Sequence, residues 1–123
     1  EQFVGCLVSL GPVILFSAAL PFQGGTNHLN EQWPEYWAKH FLKKGYVTID
    51  CIRKMVWQND NVEWWYAQNM LIFCKRERLK DFPSLKQYSE CTCPSQLSVI
   101  HPKNYMLRIG VGEEARKNLS PES

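Results

Sequence analysis

Between residues 2 and 30 the chain contains no Asp, Glu, Lys or Arg. Such a run is long enough to cross a bilayer as a helix. The basic anchors that flank a span are missing, however, and so is the positive leader of a secretory signal. Gly11-Pro12 also interrupts the run, a helix cap followed by a residue that cannot continue a helix. Neither a membrane partner nor a targeting segment is expected. A large excess of one charge is lacking too: 14 Lys and Arg stand against 12 Asp and Glu, a formal charge of +2. Nothing in so weak a field draws a nucleic acid, so no nucleic-acid partner is expected. The two-residue cysteine spacing and second pair of a zinc motif are absent, and Cys91-Thr92-Cys93, with His101 further on, is read as loop cysteines without a metal. There is no internal repeat.

What the chain does have is apolar substance. Its 123 residues are 45% hydrophobic and 13% aromatic, which suits one small globular domain. The five cysteines are an odd number, and Cys6, Cys51 and Cys74 lie in apolar stretches where a free thiol packs as a small hydrophobe. That usage fits a reducing compartment, and a cytoplasmic location is expected. The first residue is Glu, inside an apolar-periodic segment; the expectation is a processed or excised piece.

Phe3, Val4, Leu7, Val8 and Leu10 recur at helical spacing, while Val13, Ile14, Leu15 and Phe16 form a short continuous run, as in a strand covered on both faces. Helix then buried strand is the rhythm of a parallel α/β sheet. Residues 17–30 compose a loop with Gly24-Gly25 in it. Trp33, Tyr36, Trp37, His40 and Phe41 then mark one face of a helix that starts from an Asn30 cap or at Trp33, has Pro34 in its first turn and closes at Lys43-Lys44-Gly45. Aromatics so spaced are read mainly as core, and His40 as a packed histidine. Residues 46–53 alternate as a strand, and residues 70–74 are a second buried run. The short connection between them favours an antiparallel return. Past residue 75 charged and polar residues dominate, and only residues 97–109 look able to dock.

The stretches VILFSAALPFQGGTNHLNEQWPEYWAKHFLKKGYVTIDCIR and VEWWYAQNMLIFCKR resemble the C-terminal half of a bacterial-type class I S-adenosylmethionine-dependent methyltransferase family. The resemblance covers residues 1–76 strongly and the later IHPKNY weakly. It implies an α/β fold, the C-terminal part of a Rossmann-like doubly wound sheet with an antiparallel last strand. Residues 13–17 would be strand five, 46–53 strand six and 67–75 strand seven. Residues 1–76 would be the C-terminal half of the methyltransferase domain, and 77–123 a mostly irregular extension. The implied cofactor is S-adenosylmethionine, held mainly by a glycine-rich turn after strand one and an acid after strand two, in a preceding half. Gly24-Gly25 lacks the spacing to replace that turn.

The implied reaction is methyl transfer to a small-molecule or glycan acceptor. In the loop after strand five, His28 is the side chain able to take a proton near neutral pH from a hydroxyl or amine; a hydrogen bond to the loop backbone is its alternative role. Asn30 and Glu31 are candidates for orienting the acceptor, or else a helix cap and a first-turn acid. Trp33 and Trp57 are candidate acceptor-covering planes, or else core. A different class of function, a truncated non-catalytic α/β interaction module without a cofactor site, would use the strand-five edge and its apolar faces.

Overall fold

Gly11-Pro12 divides the apolar run as its chemistry requires. In the computed structural model, which describes residues 2–21 and 31–119, Gln2–Val8 form helix α1, a turn follows, and Val13–Ser17 form strand β1. Helix α2 spans Pro34–Lys43, with Trp33 in extended conformation at its N-cap and no side-chain cap bond. Of the two possible starts the later one holds, because Pro34 at the first helical position loses no donor and brings a helical φ with it. At the other end Gly45 adopts φ 81°, and its amide donates to the Leu42 carbonyl at 2.9 Å. That left-handed turn favours glycine and ends the helix.

Strand β2 covers Tyr46–Ile49 only, shorter than the alternation over residues 46–53 implies. Ile52–Val56 form helix α3 instead. One helical turn puts Arg53 over Asp50, three residues back, where the guanidinium meets the carboxylate; an extended chain would hold them apart. Helix α4 (Trp64–Asn69) leads into strand β3 (Met70–Lys75), so residues 67–69 are helical and not strand. A 3-10 helix over Arg76–Asp81, helix α5 (Pro83–Cys91) and helix α6 (Pro102–Leu119) follow. The region expected to be mostly irregular is therefore largely helical. Pro83 and Pro102, each opening its helix, were the signals for it.

The sheet has the order β1-β3-β2, with β3 antiparallel to both neighbours. Leu15 faces Ile72 and Val47 faces Cys74 in the ladder. The antiparallel return beside β2 is as expected, but both ladders among the described residues are antiparallel, not those of the parallel sheet that the αβ rhythm implied. β1 and β2 run parallel to each other at one remove, since β3 takes the place between them.

One face of the sheet carries Ile14, Phe16, Leu71 and Phe73 into a core with Val4 from α1, Trp37 and Phe41 from α2, and Leu97. Phe41 and Phe73 stack at 3.8 Å between ring centroids with planes 6° apart. On the other face Ile49, Cys51 and Cys74 pack under Leu79, Phe82 and Leu85. Val13 at the start of β1 packs against the same cluster, whereas Leu15, further along, does not. Leu15 is 59% exposed, so β1 is not buried on both faces as its composition implied. The Tyr46 hydroxyl lies 2.6 Å from the Gly11 carbonyl and 3.0 Å from that of Val8, pinning the Gly-Pro break to β2. Cys51 and Cys74 are buried as expected of small hydrophobes, whereas Cys6 is exposed. Among the described residues no helix is long and apolar enough to cross a membrane.

Candidate functional site at the carboxyl ends of the strands

Because β1 and β2 point the same way, Ser17 and Ile49 end at the same side of the sheet, where β3 begins at Met70. Open α/β sheets place ligands outside the carboxyl ends of their parallel strands. Here that end is organised around Arg53, which is 3% exposed. Its Nε and Nη2 donate to the two Asp50 carboxylate oxygens at 3.0 and 2.6 Å. Its Nη1 donates to the carbonyls of Gln68 at 3.1 Å and Leu97 at 2.8 Å. A fork with fixed donors is what can satisfy a carboxylate and two carbonyls at once.

Gln68, fully buried, carries the network onward. Its Oε1 accepts from the His101 amide and from Asn104 Nδ2, both at 2.9 Å, and its Nε2 donates to Asn69 Oδ1 at 3.0 Å. His101 caps α6, its Nδ1 accepting from the Lys103 amide at 3.2 Å. Its Nε2 then carries the proton and donates to the Trp57 carbonyl at 2.8 Å. Both ring nitrogens are thus engaged by the protein; of the two cysteines expected in a loop, Cys91 is the last residue of α5. Among the described residues no group of three or more metal-ligating side chains occurs.

Against this network lies a cavity of about 650 Å³ lined by Asp50, Arg53, Lys54, Met55, Trp57 and Val99 among others. The Trp57 ring supplies an aromatic wall and sits 4.7 Å from the His101 ring. Arg53 has spent nearly all its donors on the protein, so the Asp50–Arg53 pair shapes the wall, and Lys54, exposed, is the cation available to a ligand. A planar or apolar small molecule with a polar edge fits such a lining. A hollow of about 560 Å³ shares Asp50, Arg53, Lys54, Met55 and Val99 with it and extends along Thr92, Cys91 and Cys93.

Of the residues singled out in the sequence, Trp57 lines the cavity, while Glu31 and Trp33 do not. Trp33 is 44% exposed at the start of α2. Glu31 precedes the helix and so is no first-turn acid; that position belongs to Glu35. One Glu31 carboxylate oxygen, Oε2, is buried without a hydrogen-bond partner among the described residues. His28 and Asn30 lie outside the described residues. His40 packs its ring 4.5 Å from that of Tyr36, as expected of a packed histidine, although its Nδ1 is left unpartnered.

Arg53, Gln68 and Glu35 were not found from the sequence. Only Glu35 carried a signal, an acid directly after a helix-opening proline. Its Oε1 accepts from the amides of Leu97 and Ser98 at 2.8 and 2.9 Å, and its Oε2 from the Ser98 hydroxyl at 2.6 Å. Glu35 thus fastens the 97–98 segment, and through the Leu97 carbonyl the Arg53 network, to α2. Burial raises the Glu35 carboxyl, but the bonds from the Ser98 hydroxyl and from the amides of Glu35, Leu97 and Ser98 outweigh it and hold it below its ordinary 4.5. A carboxyl more acidic in the folded state adds stability that is complete above its unfolded value and is lost as pH falls through the folded one. Glu35→Gln is expected to cost about 1 kcal/mol at pH 7, the small end for bonds to a charged group because the carboxylate is partly exposed. In urea titrations the gap between wild type and variant should close as pH drops below about 4.5. A gap unchanged at pH 3 would show that the charge of Glu35 is immaterial to the clamp.

No protein-family model matches the chain, and comparison with curated proteins and with solved structures likewise finds no match.

Proposed function

We propose that the chain is the C-terminal part of an S-adenosylmethionine-dependent methyltransferase acting on a small-molecule or glycan acceptor, its sheet the end of a Rossmann-like doubly wound one. The observation that supports this reading most is the sheet itself. Its last strand is antiparallel to two strands that are parallel to each other, and a ligand-sized cavity lies beside the carboxyl end of β2. The outer edge of β1 has no strand partner among the described residues, and Leu15 stands exposed on it, as where a sheet and its covering layer continue.

The described residues do not themselves fit the cofactor. Gly11 and Gly45 each stand alone before a strand, whereas the glycine-rich turn that cradles such a ligand follows one. In this reading the cofactor is held mainly by residues outside the chain, and the chain supplies the acceptor side. Trp57 and its cavity receive one part of the acceptor; Glu31, with its unpartnered oxygen, and Trp33, both outside that lining, contact another part together with Asn30. His28 takes the proton from the acceptor hydroxyl or amine. A cytoplasmic location goes with the same reading.

The test is methyl transfer from labelled S-adenosylmethionine by the protein that carries this chain. His28→Ala should lower turnover by roughly 10² with cofactor affinity nearly unchanged, the contribution usual for a general base. Near-normal turnover would remove His28 from the mechanism, and no transfer by the wild type to hydroxyl or amine acceptors would overturn the function. A second reading, a non-catalytic interaction module, draws on the apolar exposure of Phe3, Leu10 and Leu15 and on the β1 edge without a strand partner among the described residues.

A further inference from the structure

Cys91 ends α5, Thr92 is extended with φ −89° and ψ 126°, and Cys93 follows. Both cysteines line the hollow of about 560 Å³. Both are exposed free thiols. Their surroundings differ. Cys93 Sγ lies 3.3 Å from the Ser95 hydroxyl. That hydroxyl, with the backbone amides of Ser95 and Gln96, favours the thiolate and holds Cys93 below the usual thiol range. Cys6, also exposed, has no such set of donors at its sulfur among the described residues.

Thr92 fixes the pair in place. Its Oγ1 accepts from the Asp50 amide at 3.0 Å and donates to the Tyr88 carbonyl at 2.8 Å. Two extended residues span about 6.6 Å, near the upper limit of Cα separation for a disulfide. The dithiol is therefore at rest as drawn, and closing it requires Thr92 to leave its two bonds. A disulfide formed at that cost is strained and readily reduced.

We propose that Cys93 and Cys91 form a thiol–disulfide exchange site, Cys93 the attacking thiolate and Cys91 the resolving thiol, with a low-molecular-weight disulfide as its substrate. The Cys93 thiolate attacks one sulfur of the substrate; a mixed disulfide forms, the substrate S–S bond breaks, and one thiolate leaves and takes up a proton. The Cys91 thiolate then attacks the Cys93 sulfur, the mixed disulfide breaks and the second thiol leaves. Two electrons pass from the protein dithiol to the substrate, leaving a Cys91–Cys93 disulfide and two substrate thiols. The site is independent of the methyltransferase reading, but the hollow it lines shares Asp50, Arg53, Lys54, Met55 and Val99 with the cavity beside Trp57. Oxidation releases the Asp50 amide from Thr92, beside the carboxylate that Arg53 holds.

The experiment incubates the whole chain with glutathione disulfide at pH 7 without oxygen, quenches by alkylation and maps peptides by mass. Wild type should accumulate the Cys91–Cys93 disulfide with little persistent adduct. Cys91→Ser should retain glutathione on Cys93, and Cys93→Ser should leave Cys91 reacting at least about threefold slower than Cys93 does. That factor is the net of a larger thiolate fraction against the weaker nucleophilicity of a more acidic thiol. Both side chains are exposed, so the serine variants keep the fold, which a thermal melt checks. Glutathione on Cys6 as fast as on Cys93, or a persistent Cys93 adduct in the wild type without closure, would overturn the proposal.

Discussion

Arg53→Ala should lower the unfolding free energy by about 3–5 kcal/mol, the cost of removing one partner from a buried ion pair. The loss is larger than the ion pair itself accounts for. Asp50 keeps a charge with no partner in a half-closed wall, and the carbonyls of Gln68 and Leu97 lose their donor. The tie between α3, the start of β3 and the 97–98 segment goes with them. Since small domains hold about 5–15 kcal/mol in all, the variant should unfold at far lower urea. The double variant Arg53→Met, Asp50→Asn separates charge from packing: it should recover part of the loss, because no isolated carboxylate remains. Should Arg53→Ala unfold within about 1 kcal/mol of wild type, the guanidinium would not be the organiser of this end of the sheet.

Phe73→Ala should be as damaging, about 3–5 kcal/mol, through a cavity in the main core. Phe73 is fully buried. It stacks on Phe41 of α2 and meets Phe16 of β1 edge-on at 5.9 Å with planes 69° apart. The ring therefore joins β3, α2 and β1 in one contact. Phe73→Leu keeps most of the volume and should cost less than half as much. Equal losses for the two variants would mean that aromatic geometry, not filled space, holds the sheet to α2.

Both sites differ in how far the sequence announced them. Phe16, Trp37, Phe41 and Phe73 were legible as core because burial follows apolar spacing, a local property. Arg53 was read as the last residue of a strand. Nothing within a few residues of it records that its donors meet carbonyls 15 and 44 positions away. The same holds for Gln68, a polar residue whose complete burial depends on partners at 101 and 104. Trp57 was marked as a plane that covers a ligand or closes the core, and the chain folds it to a cavity wall. Glu31 and Trp33, neighbours in sequence of the same motif, are not in that lining.

By itself the sequence determined the punctuation. Gly11-Pro12 divides helix from strand, Pro34 opens α2, Gly45 closes it, and the apolar period marks Trp37 and Phe41 as the face of α2 that enters the core. Each rests on one residue's permitted dihedrals or on side-chain spacing, which act without the rest of the chain. Tertiary structure alone decided that β3 lies between β1 and β2, that residues 52–56 turn into a helix, and that residues 79–85 cover the second face of the sheet. Those outcomes depend on long-range partners: a ladder that satisfies both edges of β3, a buried guanidinium that meets the carbonyls of Gln68 and Leu97, and the buried Ile49, Cys51 and Cys74 against which Leu79, Phe82 and Leu85 pack. A buried polar group must find its partner wherever the fold brings one, and no local pattern encodes where that is.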